Sequence, residues 1–166
     1  ASLGVQEFSP HVQEAIGRIQ PFETVRAAAD ALRGAGIARI NVDLMYGLPG
    51  QGIADVQATV DLVAALHPSR LALFGYAHVP WFKANQKLID EAALPGASER
   101  IDQARAAAQR LASHGYVPVG LDHFAQADDA LAAAARAGRL RRNFQGYTTD
   151  PADALIGFGA SAIGRL

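Results

Sequence analysis

Asp43 is the residue whose surroundings ask most clearly for a chemical role. It lies in Ile40-Asn41-Val42-Asp43-Leu44, where alternation sends Ile40, Val42 and Leu44 to one side of an extended segment and Asn41 and Asp43 to the other. A carboxylate in an otherwise apolar strand costs several kcal/mol unless it is paired or hydrogen-bonded, so that side must be wet, bonded or functional. Two accounts fit the spacing equally: a strand-end carboxylate capping a loop amide, or a group that holds a polar ligand.

The other candidates are weaker taken singly. Gly47-Leu48-Pro49-Gly50-Gln51-Gly52 lacks both the Lys-Ser/Thr ending of a P-loop and the Gly-x-Gly-x-x-Gly spacing of a dinucleotide fold, so it reads as a tight turn after a strand. Histidines stand at 11, 67, 78, 114 and 123 with no His-x-His or His-Glu-x-x-His pair, and no metal site is expected. Asp122-His123 is the one acidic–histidine neighbour. Side chains adjacent on a strand point to opposite faces, which predicts separate structural roles for the two. Arg141-Arg142 could grip carboxylates bidentately or simply be solvated surface. Arg18, just past a helix stop, and Gln6, beside Gly4, are ambiguous on their own.

Ligand-binding groups in parallel α/β folds gather at the C-terminal ends of strands, so the elements decide which candidates can meet. Leu3 to Phe8 alternates as a strand, and Ser9-Pro10 opens a short helix to about Ile16, stopped by Gly17. Pro21-Phe22-Glu23 begins a second helix with Val25, Ala28, Ala29 and Leu32 on one face, ended by Gly34 and Gly36. A strand is predicted over Ile37 to Leu44. Ile53, Val56, Val60 and Val63 then recur at helical spacing until His67-Pro68, and Arg70 to Phe74 forms the next strand, completing a βαβ unit. Further on, a helix is predicted over Ser98 to His114, apolar at Ile101, Ala104, Ala108 and Leu111. A strand over Tyr116 to Leu121, an alanine-rich helix over Asp128 to Ala137, and a tail with short strand-like runs complete the chain. Strands alternating with helices imply a mainly parallel sheet, either doubly wound or an arc of a (β/α) barrel.

Composition closes off several function classes. Fifteen Lys and Arg against sixteen Asp and Glu give a net charge of −1, with no case for nucleic acid or an anionic membrane. No apolar run approaches the roughly 20 residues of a membrane span, and the N-terminus lacks a signal peptide's pattern, so a cytoplasmic protein is expected. There is no cysteine, which excludes disulfides, thiolate metal sites and cysteine-ligated clusters within these residues. With 50% hydrophobic residues in 166, one sizeable core is feasible. The abrupt ends are read as those of a fragment.

Taken in order, Gly4-Val5-Gln6-Glu7-Phe8, Asn41-Val42-Asp43-Leu44-Met45-Tyr46-Gly47-Leu48-Pro49, Tyr76-Ala77-His78-Val79-Pro80, Asp122-His123-Phe124-Ala125 and Asn143-Phe144-Gln145-Gly146-Tyr147-Thr148-Thr149 resemble the oxygen-independent coproporphyrinogen III oxidase family. These are radical S-adenosylmethionine (SAM) enzymes of haem synthesis. The first two segments are shared with sister radical SAM proteins, including a haem chaperone that binds haem without converting its precursor, which is the alternative reading. The last three are specific to the oxidase.

The resemblance implies the second half of a partial radical SAM (β/α) barrel over residues 1–114, with a substrate-side α+β extension over 115–166. It implies a [4Fe-4S] cluster whose Cys-x3-Cys-x2-Cys ligands lie outside this chain, two SAM molecules, and a deoxyadenosyl radical that starts decarboxylation of coproporphyrinogen III. An unidentified electron donor and acceptor, and a monomeric parent, belong to the same reading; the chain alone should be inactive. Carried over by motif, Gln6, Arg18, Asp43 and Ala77 contact one SAM and Ile163 the other, while catalytic residues stay unassigned. Gly17 departs from the asparagine that many relatives carry before the arginine.

Overall fold

A computed structural model describes residues 1–143, 146–160 and 162–165. Phe144 and Gln145 of the Asn143–Thr149 run, and Ser161 of the Ser161-Ala162-Ile163 run, lie outside the described residues. The elements are β1 (Ser2–Gln6), α1 (Pro10–Ala15), α2 (Phe22–Gly34), β2 (Asn41–Tyr46), α3 (Ile53–Ala65) and β3 (Arg70–Gly75). After two short 3-10 turns come α4 (Ala97–Ser113), β4 (Tyr116–Pro118), β5 (His123–Gln126), α5 (Ala130–Arg136), β6 (Arg141–Asn143) and β7 (Gly146–Thr148). Five strands form one sheet in the order β1-β2-β3-β5-β4; β1, β2 and β3 are parallel, while β5 is antiparallel to both neighbours.

The core lies between one face of this sheet and the helices α2, α3 and α4. Val5, Val42, Leu44, Leu71, Leu73 and Phe124 meet Val25, Ala29, Val56, Val60, Val63, Ala107 and Leu111 there. Residues on the same strands but one position off therefore face away from these helices. On the far face α5 packs Leu131 and Ala132 against Ala125 and Val119. Asp129 caps α5 by accepting from Leu131 N at 2.7 Å, and its carboxylate also receives Arg70 Nε at 3.0 and 3.1 Å.

Four expectations need correction. The strand predicted over 37–44 starts at Asn41, because the exit of α2 consumes the residues before it: Gly36 takes φ 83° and Ile37 N bonds back to Leu32 O. The strand predicted over 116–121 ends at Pro118, because the chain turns through Gly120 and reverses to insert a separate strand, β5, beside β3. Ala28 is exposed, outside the buried stripe of α2. Ile101 is 53% exposed, because the buried stripe of α4 runs through Gln103, Ala107 and Leu111, with Ala104 and Ala108 at its flank. A glutamine holds that place since its amide is used twice: Oε1 accepts from Gly47 N at 2.9 Å and Nε2 donates to Gln51 O at 2.6 Å, tying the loop after β2 to α4.

Asp61 of α3 staples that helix to α4, accepting from Arg110 through both oxygens at 2.6 Å and from His114 Nε2 at 2.7 Å. The Arg110 hydrogen bonds, then that of His114, lower its pKa from 3.8 to about 2. A depressed folded-state value means stability present above the unfolded pKa and lost as pH falls towards the folded one. The stability difference between the wild type and Asp61→Asn should therefore be full at about pH 5, mostly lost by about pH 2 and gone only below it, as measured by chemical denaturation across that range. Because the side chain is about a third exposed, the contribution is modest, about 1 kcal/mol or less.

Candidate functional site

The cross-strand register brings one row of residues together on the far face of the sheet. Gly4 lies opposite Asp43, Asp43 opposite Ala72, and Ala72 opposite His123. Asp43 belongs to this face because Val42 and Leu44 are committed to the helix side. Its carboxylate accepts from Asn41 Nδ2 at 2.8 Å and from Ser2 Oγ at 3.2 Å, and Asn41 Nδ2 also donates to Ser2 Oγ at 2.9 Å. Among the described residues no cation pairs with it. Two neutral donors leave a carboxylate with unused acceptor sites, since it offers about four.

Arg18 reaches the same row from the end of α1, donating to Gly4 O at 2.5 Å. Among the described residues that is its one side-chain hydrogen bond, so a fork of five N–H donors remains largely unspent. Gly17 sets the approach: φ of 65° turns the chain after α1, and Arg18 N returns to Gln13 O at 2.8 Å. Asparagine tolerates this left-handed conformation and a Cβ at Gly17 would meet nothing within 4 Å. Gly17→Asn should leave stability within about 0.5 kcal/mol, whereas Gly17→Val should cost about 1–2 kcal/mol, read from thermal unfolding of both variants.

Gln6 is held in an unusual backbone state. Its φ is 70°, the register slips between Gly4 and Gln6, and Glu7 N bonds to Val5 O at 3.0 Å, closing a three-residue turn centred on it. That turn brings its amide over Gly4, where an added Cβ would lie 3.0 Å from Gln6 Nε2 and 3.6 Å from Arg18 Nη2. Gln6, Arg18 and Asp43 thus gather around Gly4, where an added Cβ would press on the Gln6 amide.

Glu7, which sequence reasoning missed, supports this arrangement. It is 1% exposed, and its carboxylate accepts from Phe8 N at 2.7 Å, Ser9 N at 2.8 Å, Gln51 Nε2 at 2.5 Å and the Thr59 hydroxyl. Gln51 Nε2 donates as well to Met45 O at 3.0 Å, so the loops after β1 and β2 share one buried network.

Ala77 follows β3 at the same end of the sheet. Its carbonyl accepts from Gln86 Nε2 at 3.1 Å, and Tyr76 N bonds to Tyr46 O at 2.8 Å just before it. Arg100 clamps Tyr76 O at 2.6 Å. His78 closes the segment, with Nε2 3.0 Å from the Glu91 carboxylate and Nδ1 3.0 Å from the Tyr76 hydroxyl. Burial raises the Tyr76 pKa above 10, which keeps that hydroxyl protonated. Ile163 is not brought to this group. It is 61% exposed in a segment where Leu155 pairs with Arg165, and no described contact joins it to Gln6, Arg18 or Asp43.

Asp122 and His123, expected to act separately, are in fact paired: Nδ1 lies 2.7 Å from Asp122 Oδ1. Asp122 precedes the first residue of β5, so strand alternation does not govern it. His123 stands edge-on to Phe74 and Tyr147, with ring centroids 5.9 and 5.1 Å away, and Arg142 lies 5.4 Å over the Tyr147 ring.

No helix is long and apolar enough to cross a membrane, and no group of three or more potential metal ligands occurs among the described residues.

The chain matches the radical SAM superfamily model over residues 1–63. More narrowly, it corresponds along its whole length to one stretch of the oxygen-independent coproporphyrinogen III oxidases. It is 57% identical over all 166 residues to that oxidase of Bradyrhizobium diazoefficiens, and 47% identical over 165 residues to that of Synechocystis. The solved coproporphyrinogen III oxidase of Escherichia coli, described as a radical SAM enzyme, superposes with a TM-score of 0.93 at 42% identity over 99% of this chain and 38% of its own. The chain spans 37% of the length of the Bradyrhizobium relative and 35% of the Synechocystis one.

Proposed function

We propose that this chain forms the cosubstrate- and substrate-facing part of an enzyme that converts two propionates of coproporphyrinogen III to vinyl groups, giving protoporphyrinogen IX. The observation that carries the reading is the convergence of Gln6, Arg18 and Asp43 around Gly4 on the open face of the sheet. Their chemistry fits SAM: a guanidinium for the methionyl carboxylate, a carboxylate with spare acceptor sites for ammonium or ribose hydroxyls, and an amide that does either. Ala77, a methyl group beside fixed backbone, leaves room for the flat adenine.

SAM bound beside a [4Fe-4S] cluster supplies an agent that removes a hydrogen atom from the propionate β-carbon. The chain has no cysteine, so cluster ligands come from outside these residues and the chain alone does not turn over. For each propionate one hydrogen atom, one carbon dioxide and one electron leave, the electron passing to a separate acceptor. Arg142, exposed beside Tyr147, is suited to hold a substrate carboxylate at the rim. In the same reading residues 1–114 complete the barrel and 115–166 face the substrate. A second SAM lies against Ile163, and the parent acts as a cytoplasmic monomer with its own electron donor.

The test is anaerobic turnover by the full-length protein with its cluster reconstituted. Coproporphyrinogen III should give protoporphyrinogen IX with deoxyadenosine formed in step. Cleavage of SAM that leaves the porphyrinogen intact would contradict the reading.

A further inference from the structure

We propose that His123 is a substrate-contacting residue of this site, its Nε2 accepting a hydrogen bond from a pyrrolic N–H of the bound tetrapyrrole. The inference rests on the function proposed above and adds to it a group that the SAM contacts do not include.

Three observations carry it. First, the register Gly4–Asp43–Ala72–His123 puts the imidazole on the same face as Asp43, two strands and so about 10 Å away. Its contact with Phe74 leans it towards the C-terminal end of β3, the end where Gln6 and Ala77 lie. Second, the tautomer is set. With Nδ1 directed at the Asp122 carboxylate, that nitrogen carries the proton, and the lone pair of the neutral form of the ring lies at Nε2. Among the described residues nothing hydrogen-bonds Nε2. Third, the residue that stands against that nitrogen is a glycine. A Cβ on Gly146 would stand 3.0 Å from Nε2, so any side chain there would cover it.

Beneath the pair, Gly120 lets Tyr147 close in: a Cβ there would overlap the Tyr147 ring, whose hydroxyl accepts from Leu121 N at 3.1 Å. The imidazole is thereby held between two aromatic edges with its side chain 16% exposed. A packing histidine needs neither a fixed tautomer nor a second nitrogen without a hydrogen-bond partner among the described residues.

A porphyrinogen presents four pyrrole N–H groups and no other strong donor once its carboxyls are ionised. Loss of an electron from the substrate makes the adjoining pyrrole electron-poor and its N–H a better donor. The hydrogen bond to Nε2 therefore strengthens as the reaction proceeds, and no bond to His123 forms or breaks. Asp122 is a positioning residue in this account, because it acts through the tautomer it imposes.

The test uses the full-length, cluster-loaded protein with His123→Leu, His123→Gln and Asp122→Asn, under anaerobic conditions. Three quantities are read: kcat and KM for coproporphyrinogen III, and the equilibrium dissociation constant of coproporphyrinogen III without SAM. His123→Leu should lower kcat about 10- to 100-fold and weaken binding several-fold. His123→Gln, whose carboxamide oxygen can accept in place of Nε2, should recover most of both, and Asp122→Asn should fall between. If His123→Leu does not fold, the other two variants carry the test. Unchanged kcat and binding in the variants, or a glutamine no better than leucine, would overturn the inference while leaving the oxidase reading intact. A wild type that neither binds nor converts the porphyrinogen would instead sink that underlying reading.

Discussion

Replacing Glu7 by alanine is expected to cost the fold about 3–5 kcal/mol, the largest stability effect of any polar substitution considered for this chain. The carboxylate is buried and gathers four donors, and its removal leaves Ser9 N and the Thr59 hydroxyl without that partner, at about 1–3 kcal/mol each. Phe8 N retains Thr59 Oγ1 at 3.1 Å, and Gln51 Nε2 retains Met45 O, so those two losses are partial. Urea unfolding followed by circular dichroism measures the change. A variant within about 0.5 kcal/mol of wild type would show that the network is not what holds these loops. Gln6 should suffer with it. A non-glycine residue at φ 70° persists only where its surroundings over-determine it, and the segment just after it is fixed through Glu7.

The second large effect concerns ligand affinity. Asp43→Ala and Arg18→Ala should each weaken SAM binding to the full-length protein about 10- to 100-fold, because each removes a charge-assisted hydrogen bond of roughly 1.5–3 kcal/mol. Isothermal titration under anaerobic conditions measures it. Neither change should unfold the protein: Arg18 is exposed, and the two partners of Asp43, Ser2 and Asn41, reach water or each other without it. Affinities equal to wild type in both variants would place the cosubstrate elsewhere.

The parts of the fold that the sequence disclosed are those in which one segment's own pattern decides. Alternation around Asp43 correctly separates the helix side from the open side of β2, and the βαβ unit follows from periodicity between Ile53 and Phe74. What stayed hidden depends on distant partners. Glu7 sits in an alternating run that looks like an ordinary strand end, and its burial is decided by Gln51 and Thr59, 44 and 52 positions away. The Asp122–His123 pair was misjudged because the strand was carried through Pro118 and Gly120. Gly120 in fact leaves room for a tyrosine 27 positions later. Gln6 was visible only as an ambiguous polar residue near Gly4, since a glycine in a strand often marks a close approach but does not reveal the turn that aims the amide. Ile163 rests on resemblance alone, and its exposed surroundings add no physical argument for it.

The most direct test of the central claim is a crystal structure of the full-length protein with SAM, grown anaerobically with the cluster in place. The account predicts the methionyl carboxylate within hydrogen-bond distance of Arg18, ribose or ammonium groups on Asp43 and Gln6, and the adenine beside Ala77. Electron density for SAM away from the Gly4–Asp43 row, with Arg18 and Asp43 untouched, would contradict it.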